Sequence, residues 1–279
     1  MHPRPKVGLH RTFARGLPIA GIAFALLIAF ILFFLMLPTL IVIPMSFGTA
    51  NYIEFPPSGL TLRWYLEYLQ DPEWISATLF SLRVALATTI SATVVGTLAA
   101  IALVRGDLPG KSLIQGLTLS PMVIPHIVVA VALYLVFAPL HLTGNFFGFL
   151  IAHTVLAVPY VVLTVSAALQ RFDITLELAA LNCGASRAQA FFRVVLPNIL
   201  PGVAAGGVFA FLTSFDEATV AFFISGIEGK TITRKMFEDI DFNLTPVIAA
   251  VSTILVAASL LLMVGAQLLQ SRQSRSGKS

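Results

Sequence analysis

The sequence is short of charge and nearly free of cysteine. Only 11% of its 279 residues are charged, against about 25% in an ordinary soluble domain. With 57% hydrophobic residues and a mean hydropathy of +0.92, that deficit excludes a soluble enzyme and a disordered chain. The single cysteine, Cys183, excludes an internal disulfide and any cysteine-held metal cluster. His-Glu-x-x-His, Gly-x-Ser-x-Gly and paired cysteines are all missing, which argues against an intramembrane enzyme. Sustained alternation of apolar and polar residues is missing too, which argues against an outer-membrane barrel. The net charge of +4 and pI near 9.5 are read as loop charge on a helical membrane protein. No nucleic-acid partner is expected.

What the sequence does have is long apolar runs. A spanning helix needs about 20 apolar residues. Gly16 to Ile53 holds no Asp, Glu, Lys or Arg, and neither does Val84 to Val104. Ser112 to Gln170 is long enough for two spans, divided by the turn-forming stretch Ala138 to Asn145. Ile199 to Ile227, interrupted by Asp216-Glu217, and Leu244 to Leu269 complete six expected spans in one all-α transmembrane domain, residues 1–279. An even count puts both termini on one side. Twelve of the 17 Lys and Arg residues fall on that side, including Arg4, Arg15, Arg105, Arg171 and Lys278. Five, Arg63, Arg83, Lys230, Arg234 and Lys235, fall on the other. The positive-inside rule therefore makes the tails 1–16 and 270–279 and the loop 171–197 cytoplasmic, and the lipid bilayer the chain's first partner. In the outer loop, Leu62, Tyr65, Leu66 and Leu69 share a helical face. With Trp64 and Trp74 they are expected to form an interfacial belt that fixes helix depth.

The inner loop 171–197 has its own structural grammar. Asp173 or Thr175 can cap a first helix with Glu177 in its opening turn. Gly184 suits the left-handed position that ends it. Ser186 and Gln189 form a capping box for a second helix, expected to stop near Pro197. Leu176, Leu178 and Leu181 would be out of place in a solvated linker and point to a docking knob for a partner.

This loop resembles the signature of permease subunits of binding-protein-dependent ABC importers. That signature reads Glu-Ala-Ala, three variable residues and Gly, followed later by a branched aliphatic residue, any residue, and Leu-Pro. Ala179, Ala180, Gly184, Val194, Leu196 and Pro197 match it. Leu178 stands where the signature has its Glu, and Glu177 sits one place early. Glu54 to Gly59, Arg63-Trp64-Tyr65, Pro125 to Val128 and Ser214 to Glu217 are similar to the spermidine/putrescine-type branch. The resemblance implies a type I importer fold in the bacterial inner membrane. It implies a loop centred on Glu177, Ala179, Ala180, Gly184, Leu196 and Pro197 that couples to separate ATPase subunits. ATP and Mg would bind on those subunits, with no cofactor on this chain. A second permease, a paralogue, and a periplasmic substrate-binding protein would complete the importer. The expected substrate is a small organic cation such as a polyamine, although the branch also resembles permeases for opines, amino-acid derivatives and ferric iron.

Four polar residues in the spans are candidates for the substrate path or a gate. An acidic side chain near the bilayer centre costs roughly 2.5–3.5 kcal/mol on insertion scales, so Asp216 and Glu217 need a cavity, a subunit interface or an interhelical partner. Neighbouring residues on a helix point about 100° apart, so one of the two is expected to face the path. His126 and His153 can serve the path or simply bond within the core. An ion-coupled secondary transporter using Asp216 or Glu217 is the competing reading, against which the Gly184 and Leu-Pro loop argues. Gly106 to Ser112 mimics a phosphate-binding loop, but its first Gly is one residue too close, so a tight turn is expected. Arg234 with Glu238, and Lys235 with Asp239, stand at helical i,i+4 spacing in a further outer loop, suited to a binding-protein surface.

Overall fold

A computed structural model describes residues 18–226, 229–242 and 244–276. The N-terminal tail 1–16, Glu228 and Lys278 lie outside the described residues. Among the described residues every regular element is helical. In chain order they are α1 (Pro18–Met45), α2 (Arg63–Gln70), α3 (Pro72–Arg105), α4 (Lys111–Leu119), α5 (His126–Phe137), α6 (Phe146–Arg171) and α7 (Ile174–Asn182). Then follow α8 (Arg187–Ala190), α9 (Leu196–Phe215), α10 (Thr219–Ile224), α11 (Ile232–Phe242) and α12 (Val247–Ser276).

Helices α1, α3, α6 and the continuous rod α8–α9 are each long and apolar enough to cross a membrane. The third expected span is a bent pair instead. α4 and its trailing 3-10 turn meet α5 at 99°. Pro121 and Pro125 flank the bend: a proline lacks the N–H of the helical ladder and pushes its predecessor out of helical geometry. His126 therefore opens α5 rather than sitting within a straight span. The sixth span falls on α12, where Val247–Leu261 is apolar, so six crossings are consistent with the structure. Of Gly106 to Ser112, Gly106 to Gly110 is a tight turn, with Gly106 closing α3 and Gly110 left-handed at φ 69°, and Lys111 and Ser112 open α4.

The long helices start where side chains cap them. The Asp71 carboxylate accepts from the Glu73 and Trp74 N–H groups, with Pro72 at the first position of α3. Asn145 Oδ1 accepts from Gly148 N at the start of α6. α3, α6 and α9 then pack against one another along their lengths, and small residues set how closely. In lipid, helices associate through close backbone packing rather than through escape from water. A Cβ on Gly96 of α3 would lie 2.6 Å from Val161 Cβ of α6. A Cβ on Gly206 of α9 would lie 2.6 Å from Thr164 Oγ1, and one on Gly202 would lie 2.5 Å from Ala168 Cβ. Val161, Val165, Val195 and Ile199 fill the seam beside them.

The two tryptophans do not form a lipid-facing belt. Trp64 and Trp74 are only 2% and 3% exposed, packed with Tyr68, Ile232, Val247 and Val251 where α2, α3, α11 and α12 meet. The Trp64 indole donates to the Gly48 carbonyl at 2.7 Å, so burial leaves no polar atom of the ring unpaired. Leu62, Leu66 and Leu69 do stay exposed, as an interfacial helix requires.

Gly96→Ala and Gly206→Ala should each destabilise the detergent-solubilised protein by about 1–3 kcal/mol, the usual penalty of overpacking a tight seam. Gly116→Ala, where a Cβ meets nothing within 4 Å, should not. Apparent melting temperatures of the three variants check this.

Candidate functional site

Two regions collect the candidate residues. At one end of the bundle the α7–α8 loop is shaped by its own sequence. Asp173 Oδ1 accepts from Thr175 N at 2.9 Å and starts α7. That bond holds the Asp173 carboxyl below the usual aspartate range. Gly184 sits at φ 89°. Its N–H donates to the Leu181 carbonyl at 3.0 Å and that of Ala185 to the Ala180 carbonyl at 3.1 Å, a complete Schellman closure. Ser186 then makes a reciprocal capping box with Gln189, at 2.9 and 3.3 Å.

The second helix does not stop at Pro197. α8 passes through a π turn, Phe191–Val195, straight into α9. The Leu196 N–H reaches back five residues to the Phe191 carbonyl, and Pro197 then has no N–H to place. This lets a proline sit in the opening turn of a continuing helix.

The loop presents apolar surface. α7 buries none of its residues; Ile174, Leu176, Leu178 and Phe192 are roughly half or more exposed. Ala179, Gly184 and Pro197 are exposed, while Ala180 and Leu196 are half-buried. Glu177 turns the other way. Its Oε2 pairs with Arg105 Nη1, from the last turn of α3, at 2.7 Å. The sequence carried no signal for this pair, because its members are 72 residues apart.

The second region is a cavity of about 730 Å³ lined by His126, Tyr160, Thr213, Asp216, Glu217, Thr219 and Ser259 among others. It forms where two helices break. α9 ends at Phe215 and α10 starts at Thr219. Because the chain is not helical across 216–218, the 100° rule does not separate the acids, and both line the cavity. Their environments differ sharply. Glu217 is 6% exposed: its Oε1 accepts from Val220 N at 2.9 Å, capping α10, and its Oε2 lies 3.1 Å from His126 Nδ1. Its backbone carbonyl accepts from the Thr233 hydroxyl at 3.0 Å. Asp216 is exposed to the cavity, with no ion pair among the described residues. His153 is elsewhere. It is buried between α6 and α9 with Nδ1 2.8 Å from Ser214 Oγ and its ring edge-on to Phe149, and it does not line the cavity.

At the opposite end from α7, α11 carries both expected pairs. Arg234 lies 3.6 Å from Glu238 and Lys235 2.9 Å from Asp239. Lys235 also reaches Glu73 of α3 at 3.0 Å. Burial works against its charge, yet hydrogen bonds to Asp239 and Glu73 hold the Lys235 ammonium above the ordinary lysine range.

The described residues form a bundle of long apolar helices with an exposed apolar loop at one end. The chain belongs to the family of binding-protein-dependent transport system inner membrane components, whose model matches residues 92–275. It is 31% identical over 237 residues to the spermidine/putrescine transport system permease protein PotC of Escherichia coli K12, covering 85% of this chain and 89% of that one. It is also 31% identical over 229 residues to the sulfate transport system permease protein CysT of the same organism, covering 76% and 82%. In fold it resembles a bacterial ABC transporter that imports the acidic polysaccharide alginate. That match has a TM-score of 0.72 at 16% identity and covers 92% of this chain and 99% of the other. The chain is thus a multi-pass inner-membrane permease subunit of an ABC importer with the type I fold, itself non-catalytic. A separate ATPase and a substrate-binding protein are its partners by family, and the ion-coupled transporter reading falls away.

Replacing Glu217 with Leu removes the α10 cap and strands His126. The protein should lose about 1–3 kcal/mol of stability, the penalty for leaving the buried Val220 N–H unpaired; His126, itself exposed, adds little. Asp216→Asn, with no partner to lose, should melt like the parent. Thermal unfolding of purified variants separates the two acids.

Proposed function

We propose that the chain forms half of the translocation path for a small organic polycation, with a second, paralogous permease supplying the other half. In this reading the α7–α8 loop faces the cytoplasm and seats in a groove on the ATPase. ATP and Mg bind on that partner alone. The charge asymmetry of the loops supports cytoplasmic termini, and the α11 surface then faces the periplasmic binding protein.

The relatives by themselves do not choose a substrate, since one is named for polyamines and another for sulfate. The cavity carries the choice. Its wall holds Asp216 and Glu217, the latter paired with His126, together with Tyr160, Thr213, Thr219 and Ser259, and among the described residues no Lys or Arg. A doubly charged oxyanion would meet repulsion there, whereas an ammonium group would meet Asp216 without having to displace an existing partner.

Uptake by the assembled importer in proteoliposomes tests this. Labelled spermidine or putrescine should be transported and sulfate should not, and Asp216→Asn should lower polyamine uptake about tenfold, near 1.4 kcal/mol. Sulfate transport, or full polyamine uptake by Asp216→Asn, would overturn the assignment.

Docking has its own test. A Cβ on Gly184 meets nothing within 4 Å, so the main effect of Gly184→Val is backbone strain at positive φ. The variant should insert normally yet co-purify with several-fold less ATPase. Full association would remove this loop from the docking role.

A further inference from the structure

We propose that Arg105 is a positioning residue for coupling: through Glu177 it fastens the docking loop to the end of α3, so that displacement of the loop moves α3. The proposal rests on the reading of α7–α8 as the ATPase-docking loop.

α7 is joined through the chain to α6 and, by way of α8, to α9. It has no covalent connection to α3 and no buried residue to pack there. Among the described residues its polar link to α3 is the bond between Arg105 Nη1 and Glu177 Oε2, at 2.7 Å. The side chains are 25% and 20% exposed, so solvent and salt screen them less than a surface pair. The guanidinium also lies over the Phe172 ring, 5.4 Å from its centroid, and Phe172 packs on the buried seam of α3, α6 and α9. Both charges suit their places: Arg105 is the last residue of α3 and Glu177 stands in the first turn of α7.

α3 is a single helix of 34 residues, a rod of roughly 50 Å at 1.5 Å per residue. Its far end is tied down as well. Glu73 pairs with Lys235 of α11, and Ser81 Oγ accepts from the Ile232 N–H at 2.8 Å. The next residue, Thr233, donates to the Glu217 carbonyl at the acidic break. A stiff element therefore meets the docking loop at one end and, at the other, the helix that holds the cavity's acid. Without Arg105 the loop keeps its own caps, its apolar face and its connections to α6 and α9. It also keeps the apolar contact of Phe172 with the seam; what it loses is the polar tie between α7 and α3.

The test uses the complete importer, with ATPase and binding protein, in proteoliposomes. Uptake per ATP hydrolysed is measured beside ATPase co-purification and melting temperature. Arg105→Gln should retain the ATPase but lower uptake per ATP about fivefold or more, the lower range of ordinary coupling energies. The charge-swapped pair, Arg105→Glu with Glu177→Arg, should recover part of that loss, since the restored pair now opposes both helix dipoles. Arg105→Lys, which keeps the charge without the planar fork, should fall between. Wild-type uptake per ATP in Arg105→Gln overturns the proposal. So does a defect confined to yield or melting temperature, or a swap no better than Arg105→Gln alone. Gly184→Val, assayed in parallel, keeps the premises apart: full ATPase association there overturns the docking reading, whereas preserved coupling in Arg105→Gln overturns only the role of Arg105.

Discussion

A helix broken inside a membrane leaves backbone N–H and C=O groups that no water can satisfy, and the site is organised by how this chain answers that demand. Glu217 meets it at the end of α9. One carboxyl oxygen caps α10 through Val220 N, the other reaches His126, and the residue's own carbonyl takes the Thr233 hydroxyl. Since His126 opens α5 just beyond the α4–α5 bend, the Glu217 side chain connects both broken segments, and its backbone carbonyl adds α11. Irregular backbone at membrane depth is tolerated where protein or a cavity surrounds it, and here both conditions hold. The cavity exists because the helices break, and the break persists because Glu217 closes it.

The same economy of local chemistry shapes the docking loop, with an opposite use of glycine. Gly96, Gly202 and Gly206 are small so that α3, α6 and α9 can touch; a Cβ at any of them meets a neighbour at 2.6 Å or less. Gly184 has open space around it and is needed for its backbone angle alone. One set makes the scaffold stiff. The other turns a short helix outward at the end of that scaffold, leaving Leu176 and Leu178 uncovered. Stiffness and an exposed apolar loop are both required if motion applied at the loop is to reach the cavity.

Local chemistry was legible in the sequence and long-range geometry was not. The apolar runs located the long helices, and the Asp173 cap, the Gly184 turn and the Ser186–Gln189 box each follow from residues within a few positions of one another. Wherever the outcome depended on a distant partner, the sequence pattern misled or fell silent. Trp64 and Trp74 have the composition of an interfacial belt, yet Ile232, Val247 and Val251 arrive from the far end of the chain to bury them. Pro197 has the look of a helix stop, but the preceding π turn removes the conflict. Asp216 and Glu217 fall apart on a helical wheel and come together because the helix ends before them. His153 was a candidate for the path by its residue type, and only Ser214, 61 positions away, shows it to be part of the core.

That division bears on how one scaffold serves chemically different cargoes. Relatives of equal identity to this chain are named for a polycation and for sulfate, and in the proposed reading selectivity rests on groups the fold does not need. In this chain Glu217 fails that criterion: its substitution opens α10 and releases His126, so it is fixed by architecture. Asp216 meets it. Its carboxylate caps no helix and holds no ion pair among the described residues, yet it lines the same cavity. Under that reading, a change of charge at 216 alters what the wall attracts while leaving both breaks closed. In the proposed reading the adjacent acids therefore divide the work, Glu217 keeping the cavity in shape and Asp216 setting the sign of what enters it.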